Sequence, residues 1–211
     1  MKFEIKDTNW KRYNLFWYYI NNLRNVISMT CDIDITGFLN YAKNKGYRFY
    51  PCFMWAVSNI INAHDEFKLG WNDKNQVVVY EVIHPYFAHF YKEDEQCALL
   101  VAEYNDDLEI FHRNFVSVLE KYKDYRAFEF KDVPENTFNV SCLPWIQYKS
   151  FDIHVFDDGK YLAPVVTWGK FSQNNERILI PLSFNIHHAA ADGYHLSRFF
   201  IELQEMMDKF Y

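Results

Sequence analysis

Residues 185–193 read Asn-Ile-His-His-Ala-Ala-Ala-Asp-Gly. An apolar run delivers His187 and His188 to the end of a strand, three alanines follow, and Asp-Gly turns the chain into a last apolar-striped segment. A histidine at a strand terminus, crowded only by alanines, can present a ring nitrogen to a substrate. Asp192 at the helix entry can cap the helix or pair with a cation. The spacing alone fits a capped helix with a partly buried histidine better than it fits a catalytic site. Neighbours on a strand point to opposite faces, so His187 and His188 do not form a ready metal pair, and H-E-x-x-H is absent. The six glycines form neither a P-loop nor a dinucleotide-binding fingerprint.

The elements that must position this motif follow from periodicity. Trp10 to about Asn21 is helix-like but aromatic on most faces, as in a buried helix or one covered by a partner. Asn25 to Asp34 alternates as a strand. Pro51 suits a helix's first turn, followed by a stripe of Phe53, Met54, Val57, Ile60 and Ile61. Val77–Tyr80 and Tyr86–Tyr91 read as paired strands, Leu99–Val101 as another, and Asn105 as the cap of a helix striped by Leu108, Phe111, Phe115, Val118, Leu119 and Tyr122. Phe138–Leu143 is a further strand, Tyr161–Phe171 and Arg177–His188 flank a hairpin loop at 172–176, and a final helix runs from Gly193 to about Lys209. Strands and helices mix without a strict βαβ rhythm, so the expected fold is one α/β (α+β two-layer) domain over 1–211, a mixed sheet covered by helices.

Composition bounds the rest. The 211 residues include twenty Phe, sixteen Tyr and six Trp, against six Gly and six Pro, which excludes disordered and collagen-like chains and leaves rings to spare for a pocket or interface. A net charge of -6 argues against a broad nucleic-acid surface. Cys31, Cys52, Cys97 and Cys142 form no C-x-x-C pair, there is no apolar leader, and no stretch is long and apolar enough to span a membrane; the expectation is a cytoplasmic protein with reduced thiols and no metal.

The motif His187-His188-x-x-x-Asp192-Gly193, with Asn9-Trp10-Lys11-Arg12, Phe49-Tyr50-Pro51, Pro134-Glu135-Asn136, Val140-Ser141-Cys142-Leu143-Pro144-Trp145, Ser150-Phe151 and Ala163-Pro164-Val165-Val166-Thr167, resembles the chloramphenicol acetyltransferase family from Asn9 almost to the C-terminus. The bare His-x-x-x-Asp-Gly is shared with dihydrolipoyl acyltransferases and peptide-synthetase condensation domains. The resemblance implies a CoA-dependent acyltransferase fold and a homotrimer. Acetyl-CoA as co-substrate and a hydroxyl acceptor would enter a tunnel between subunits from opposite ends. It implies His188 as general base, Ser141 as oxyanion donor, Thr167 as the holder of a bridging water, and an Arg12–Asp192 pair bracing the site. Trp145, Tyr50, Arg48 and Lys170 fall at cofactor positions. Tyr19, Leu23, Cys97, Phe128, Phe151, Ile153 and Val155 fall at the acceptor wall. Cys97, Asn25 and Ala88 depart from the family's usual residues there, which leaves two alternatives beside chloramphenicol: another small hydroxyl compound, or a trimer that sequesters drugs without turnover.

Overall fold

A computed structural model of the chain describes residues 1–125 and 133–210. Seven strands form one mixed sheet. Taken across it, they are β2 (Val26–Asp34), β10 (Arg177–His187), β8 (Val165–Gly169), β7 (Thr137–Leu143), β5 (His84–Tyr91) and β6 (Gln96–Val101), with β9 (Ser172–Asn174) also on β10. The β5–β7 and β7–β8 ladders are parallel, and the remaining pairs are antiparallel. A second sheet holds β1 (Phe3–Ile5), β4 (Val77–Tyr80) and β3 (Leu69–Trp71).

The helices follow from apolar stripes. On α5 (Gly193–Asp208), Leu196, Phe199, Phe200, Leu203 and Met207 are buried, each contributing about 1.5–3 kcal/mol. Phe199 lies 4.5 Å from Phe184 of β10, ring centre to ring centre, so truncating it to Ala would cost about 3–5 kcal/mol. Trp168 of β8 meets Tyr50 and Phe53 of α3 (Phe49–Asn62) at 5.5 and 5.2 Å. Leu182, Phe184 and Ile186 are buried on this helix-covered face. Strand alternation then sends Ser183, Asn185 and His187 to the opposite one. On that opposite face the register sets Ser141 beside Thr167, Thr167 beside Ser183, and Ser183 beside Thr30, a row of hydroxyls across four strands.

Several expectations change. Val77–Tyr80 and the strand after it do not pair: β4 joins β1 and β3, while β5 joins β6 and β7. Both runs are apolar and adjacent in sequence, but Asn62 intervenes. Its side chain accepts from Ile83 N and donates to Ile83 O, pinning the connection so that the chain changes sheets. The cap of α4 (Leu108–Lys121) is Asp107, whose carboxylate accepts from Ile110 N at 3.0 Å; Asn105 instead accepts from Asp107 N in a turn. The aromatic helix α1 (Tyr13–Asn21) buries Phe16 and Ile20 and leaves Leu15 and Tyr18 exposed. A helix without a counterpart in the periodicity, α2 (Thr36–Asn44), starts where Asp34 accepts from Thr36 N. The hairpin between β8 and β10 is tighter than residues 172–176, because β9 takes up 172–174 and Asn175 turns at φ 55°.

Candidate active site

The β10–α5 junction holds His188 in a defined state. Its backbone N donates to Asn25 O at 2.9 Å, and its ring Nδ1 lies 3.0 Å from Ala191 O. A carbonyl only accepts, so Nδ1 carries the proton and Nε2 keeps its lone pair. Tyr19 stacks on the imidazole, with ring centres 4.1 Å apart and planes 16° from parallel. Arg12 grips the same loop three times: Nε donates to Ala189 O at 2.8 Å, Nη2 to His188 O at 2.9 Å, and Nη1 to Asp192 Oδ2 at 3.0 Å. Arg12 is 14% and Asp192 34% exposed, so the pair is only partly screened. Burial opposes ionisation of Asp192, but the bonds and charges of Arg12 and His195 outweigh it and hold the carboxyl below its ordinary range. Asp192 both caps α5 and pairs with a cation, since its Oδ1 accepts from Tyr194 N.

His187 has a different environment. Its Nδ1 accepts from Ala189 N at 3.0 Å, which leaves a buried Nε2–H with no partner among the described residues. Burial chiefly, and the neighbouring His188, push its pKa down against the opposing pull of Asp157.

Ser141 and Thr167 lie elsewhere. They are register partners in the hydroxyl row, and the partner of Thr167 on β10 is Ser183. His188 comes five residues after Ser183, about 16 Å along the strand at 3.3 Å per residue. Thr167 is fully buried and its Oγ1 has no partner among the described residues, while Ser141 is half-buried. A single chain therefore does not bring His188 together with Ser141 and Thr167. The Tyr148 hydroxyl donates to Thr167 O and closes that loop tightly over Gly169, where an added Cβ would fall 2.9 Å from the Tyr148 ring.

The expected acceptor residues divide in the same way. Ile153 and Val155 line a cavity of about 520 Å³ with Arg24, Asn25, Tyr161 and His187. Asn185 pins this strap: with its amide oriented to suit its neighbours, it donates to Ser28 Oγ and Asp152 Oδ1 and accepts from Ile153 N. Phe151 contacts Tyr148, and Leu23 is 50% exposed at the end of α1. Cys97 is exposed on β6 opposite Phe90, whose ring lies 4.9 Å from Trp145. Phe128 lies outside the described residues.

Among the cofactor candidates, Trp145 is 60% exposed and Tyr50 is packed among Phe87, Phe115 and Trp168. The Tyr50 hydroxyl is buried without a partner among the described residues, and burial pushes its pKa far up. Arg48 and Lys170 are exposed cations, and their sequence neighbours Phe49 and Phe171 are in ring contact. Arg48 also sits at the start of α3, the positive end of the helix dipole. One residue of this neighbourhood has no counterpart in the sequence reading: His195, whose Nδ1 lies 2.8 Å from Asp192 Oδ1. Its signal was available as the three-residue spacing from a capping Asp.

No group of three or more His, Cys, Asp or Glu side chains able to hold a metal occurs among the described residues, and no described helix is long and apolar enough to cross a membrane. Residues 1–204 match the family model described as chloramphenicol acetyltransferase. The chloramphenicol acetyltransferase of Clostridium perfringens is 35% identical over 212 residues, covering 100% of this chain and 97% of that protein. A solved chloramphenicol acetyltransferase superposes with a TM-score of 0.85 at 21% identity, covering 98% of this chain and 100% of that one. A probable dihydrolipoamide acetyltransferase of Listeria monocytogenes shares the fold at a TM-score of 0.68 and 15% identity, covering 98% and 94%. Fold, near-complete coverage and the intact motif thus converge, and the chain belongs to the chloramphenicol acetyltransferase family, an acetyltransferase with the CoA-dependent acyltransferase fold.

Proposed function

We propose that the chain transfers acetyl from acetyl-CoA to a hydroxyl of chloramphenicol, with His188 as general base. The observation that carries this reading is the tautomer of His188: Nδ1–H is committed to Ala191 O, so Nε2 is free to accept a proton. His188 takes the acceptor's hydroxyl proton as the oxygen bonds to the thioester carbonyl. Ser141 donates to the oxyanion that develops there, and Thr167, whose buried hydroxyl lacks a partner among the described residues, holds a water beside it. His188 returns the proton to the departing thiolate as the carbon–sulfur bond breaks. Acetyl-CoA supplies the activated acyl group. For it, Trp145 and Tyr50 offer rings, and Arg48 and Lys170 offer cations suited to a phosphate.

The strand-length gap between His188 and Ser141 supports a site shared between copies, as in a closed cyclic homotrimer. Exposed apolar groups near the acceptor strap, including Phe156 at 97% exposure, suit a subunit contact. The small side chains of Cys97 and Ala88 on the Ser141 face favour a second reading, the same chemistry on another small hydroxyl compound.

The test is release of free thiol from acetyl-CoA with chloramphenicol and a panel of hydroxyl compounds. Turnover with chloramphenicol above a His188→Ala control is expected, and its absence overturns the chloramphenicol reading. Turnover of any acceptor also excludes simple drug sequestration.

A further inference from the structure

The geometry points to His195 as a positioning residue for the transfer, one that fixes the carboxylate of Asp192 and through it the loop carrying His188. The inference rests on the reading of His188 as base. The single atom His195 Nδ1 lies 2.8 Å from Asp192 Oδ1 and 3.2 Å from Asp192 N. A carboxylate oxygen needs a donor there, whereas a backbone N–H needs a lone pair. Nδ1 cannot serve both, and the shorter, charge-assisted bond selects the Nδ1–H form. The Asp192 carboxylate is then held on both sides, with Oδ1 by His195 and Tyr194 N and Oδ2 by Arg12. Arg12 fixes the His188 and Ala189 carbonyls, and Ala191 O, one residue before Asp192, fixes the imidazole. Every link is a direct hydrogen bond or a peptide bond. Loss of the His195 bond leaves Oδ1 with the longer Tyr194 N–H contact alone, so the carboxylate that anchors the Arg12 fork is held less firmly, and the His188 loop with it.

His195 is 21% exposed and lines, with Arg12, a second cavity of about 360 Å³. The charged groups facing it there are Lys6 from the segment after β1, Lys11 and Arg12 from the segment before α1, and Asp65 and Glu66 from a short 3-10 turn, Asp65–Phe67; Tyr194 packs beside it on α5. Oδ1 has the Tyr194 N–H as a second, longer donor at 3.2 Å, and Arg12 serves Oδ2, so His195 is the side-chain donor to Oδ1 among the described residues.

The experiment compares His195→Asn, His195→Gln and His195→Ala in the intact chain, by kcat, both KM values and thermal unfolding. An Asn amide can reach the position of Nδ1, while a Gln amide reaches that of Nε2. His195→Ala and His195→Gln should lower kcat about tenfold with both KM values changed less than about threefold, and His195→Asn should recover most of that loss. The Ala and Asp192→Asn effects on kcat should also be non-additive in the double variant. Equal kcat in Asn and Gln variants, or losses of kcat that simply follow thermal stability, would overturn the proposal. Should Ala fail to fold, the Asn–Gln contrast decides. His188→Ala is assayed alongside: undiminished activity there would sink the base reading itself, a failure separate from any pattern at His195.

Discussion

Mixing two inactive chains gives a direct measure of where the catalytic groups sit. His188 lies about 16 Å along β10 from Ser183, and Ser141 lies two strands, about 10 Å, across from that point. The resulting separation of about 19 Å within one chain is far more than a base and an oxyanion donor can bridge when each must lie roughly 3 Å from its own atom of one reacting group. If each site takes His188 from one copy and Ser141 from its neighbour, His188→Ala and Ser141→Ala chains complement each other. A site built from the serine of the first and the histidine of the second has every wild-type group. In a closed ring with one such contact per subunit, random equimolar assembly makes about one quarter of sites fully wild type. Each variant alone should fall by about two to three powers of ten. Co-expressed, or unfolded together and reassembled, the mixture should therefore regain about a quarter of wild-type thiol release. Activity no greater than the sum of the two separate variants, with mixed assembly verified by differently tagged chains, would refute the shared-site geometry.

Three further outcomes follow from individual contacts. Arg12→Met should destabilise the chain by about 2–4 kcal/mol, below a fully buried pair because Asp192 is one-third exposed, and denaturant unfolding would read it. Asp192 has a folded pKa depressed below 3.8, so this contribution is present above that value and is lost as pH falls through the folded one; the gap between wild type and variant should close below about pH 4. His187 is held with its pKa below 6.5, chiefly by burial, so the unfolded chain binds protons more readily, and its contribution to stability should fall as pH drops below about 6.5. An isosteric His187→Phe change should flatten that slope in unfolding curves between about pH 5 and 7. Gly169→Ala would place a Cβ 2.9 Å from Tyr148 and 3.0 Å from Pro181, and should cost about 1–3 kcal/mol in denaturant unfolding.

Short-range pattern alone carried the candidate motif and its local frame. The His-His-x-x-x-Asp-Gly run lies in one strand-to-helix turn, and its caps, spacing and residue types are all short-range properties, legible without tertiary contacts. The apolar stripes of α3, α4 and α5 were readable for the same reason, because a helix announces its buried face every three or four residues. Strand pairing was not readable. Whether Val77–Tyr80 joins its sequence neighbour or the N-terminal strand depends on which edges meet after the connection that Asn62 pins at Ile83, and no local pattern carries that information. The bond from His195 to Asp192 had a visible spacing, but its meaning needed Arg12, which lies 180 residues from Asp192. Only the tertiary structure decided the distance between His188 and Ser141. Sheet register, set by burial of one face across β7, β8 and β10, sends the hydroxyl row and the histidine to different heights along the strands.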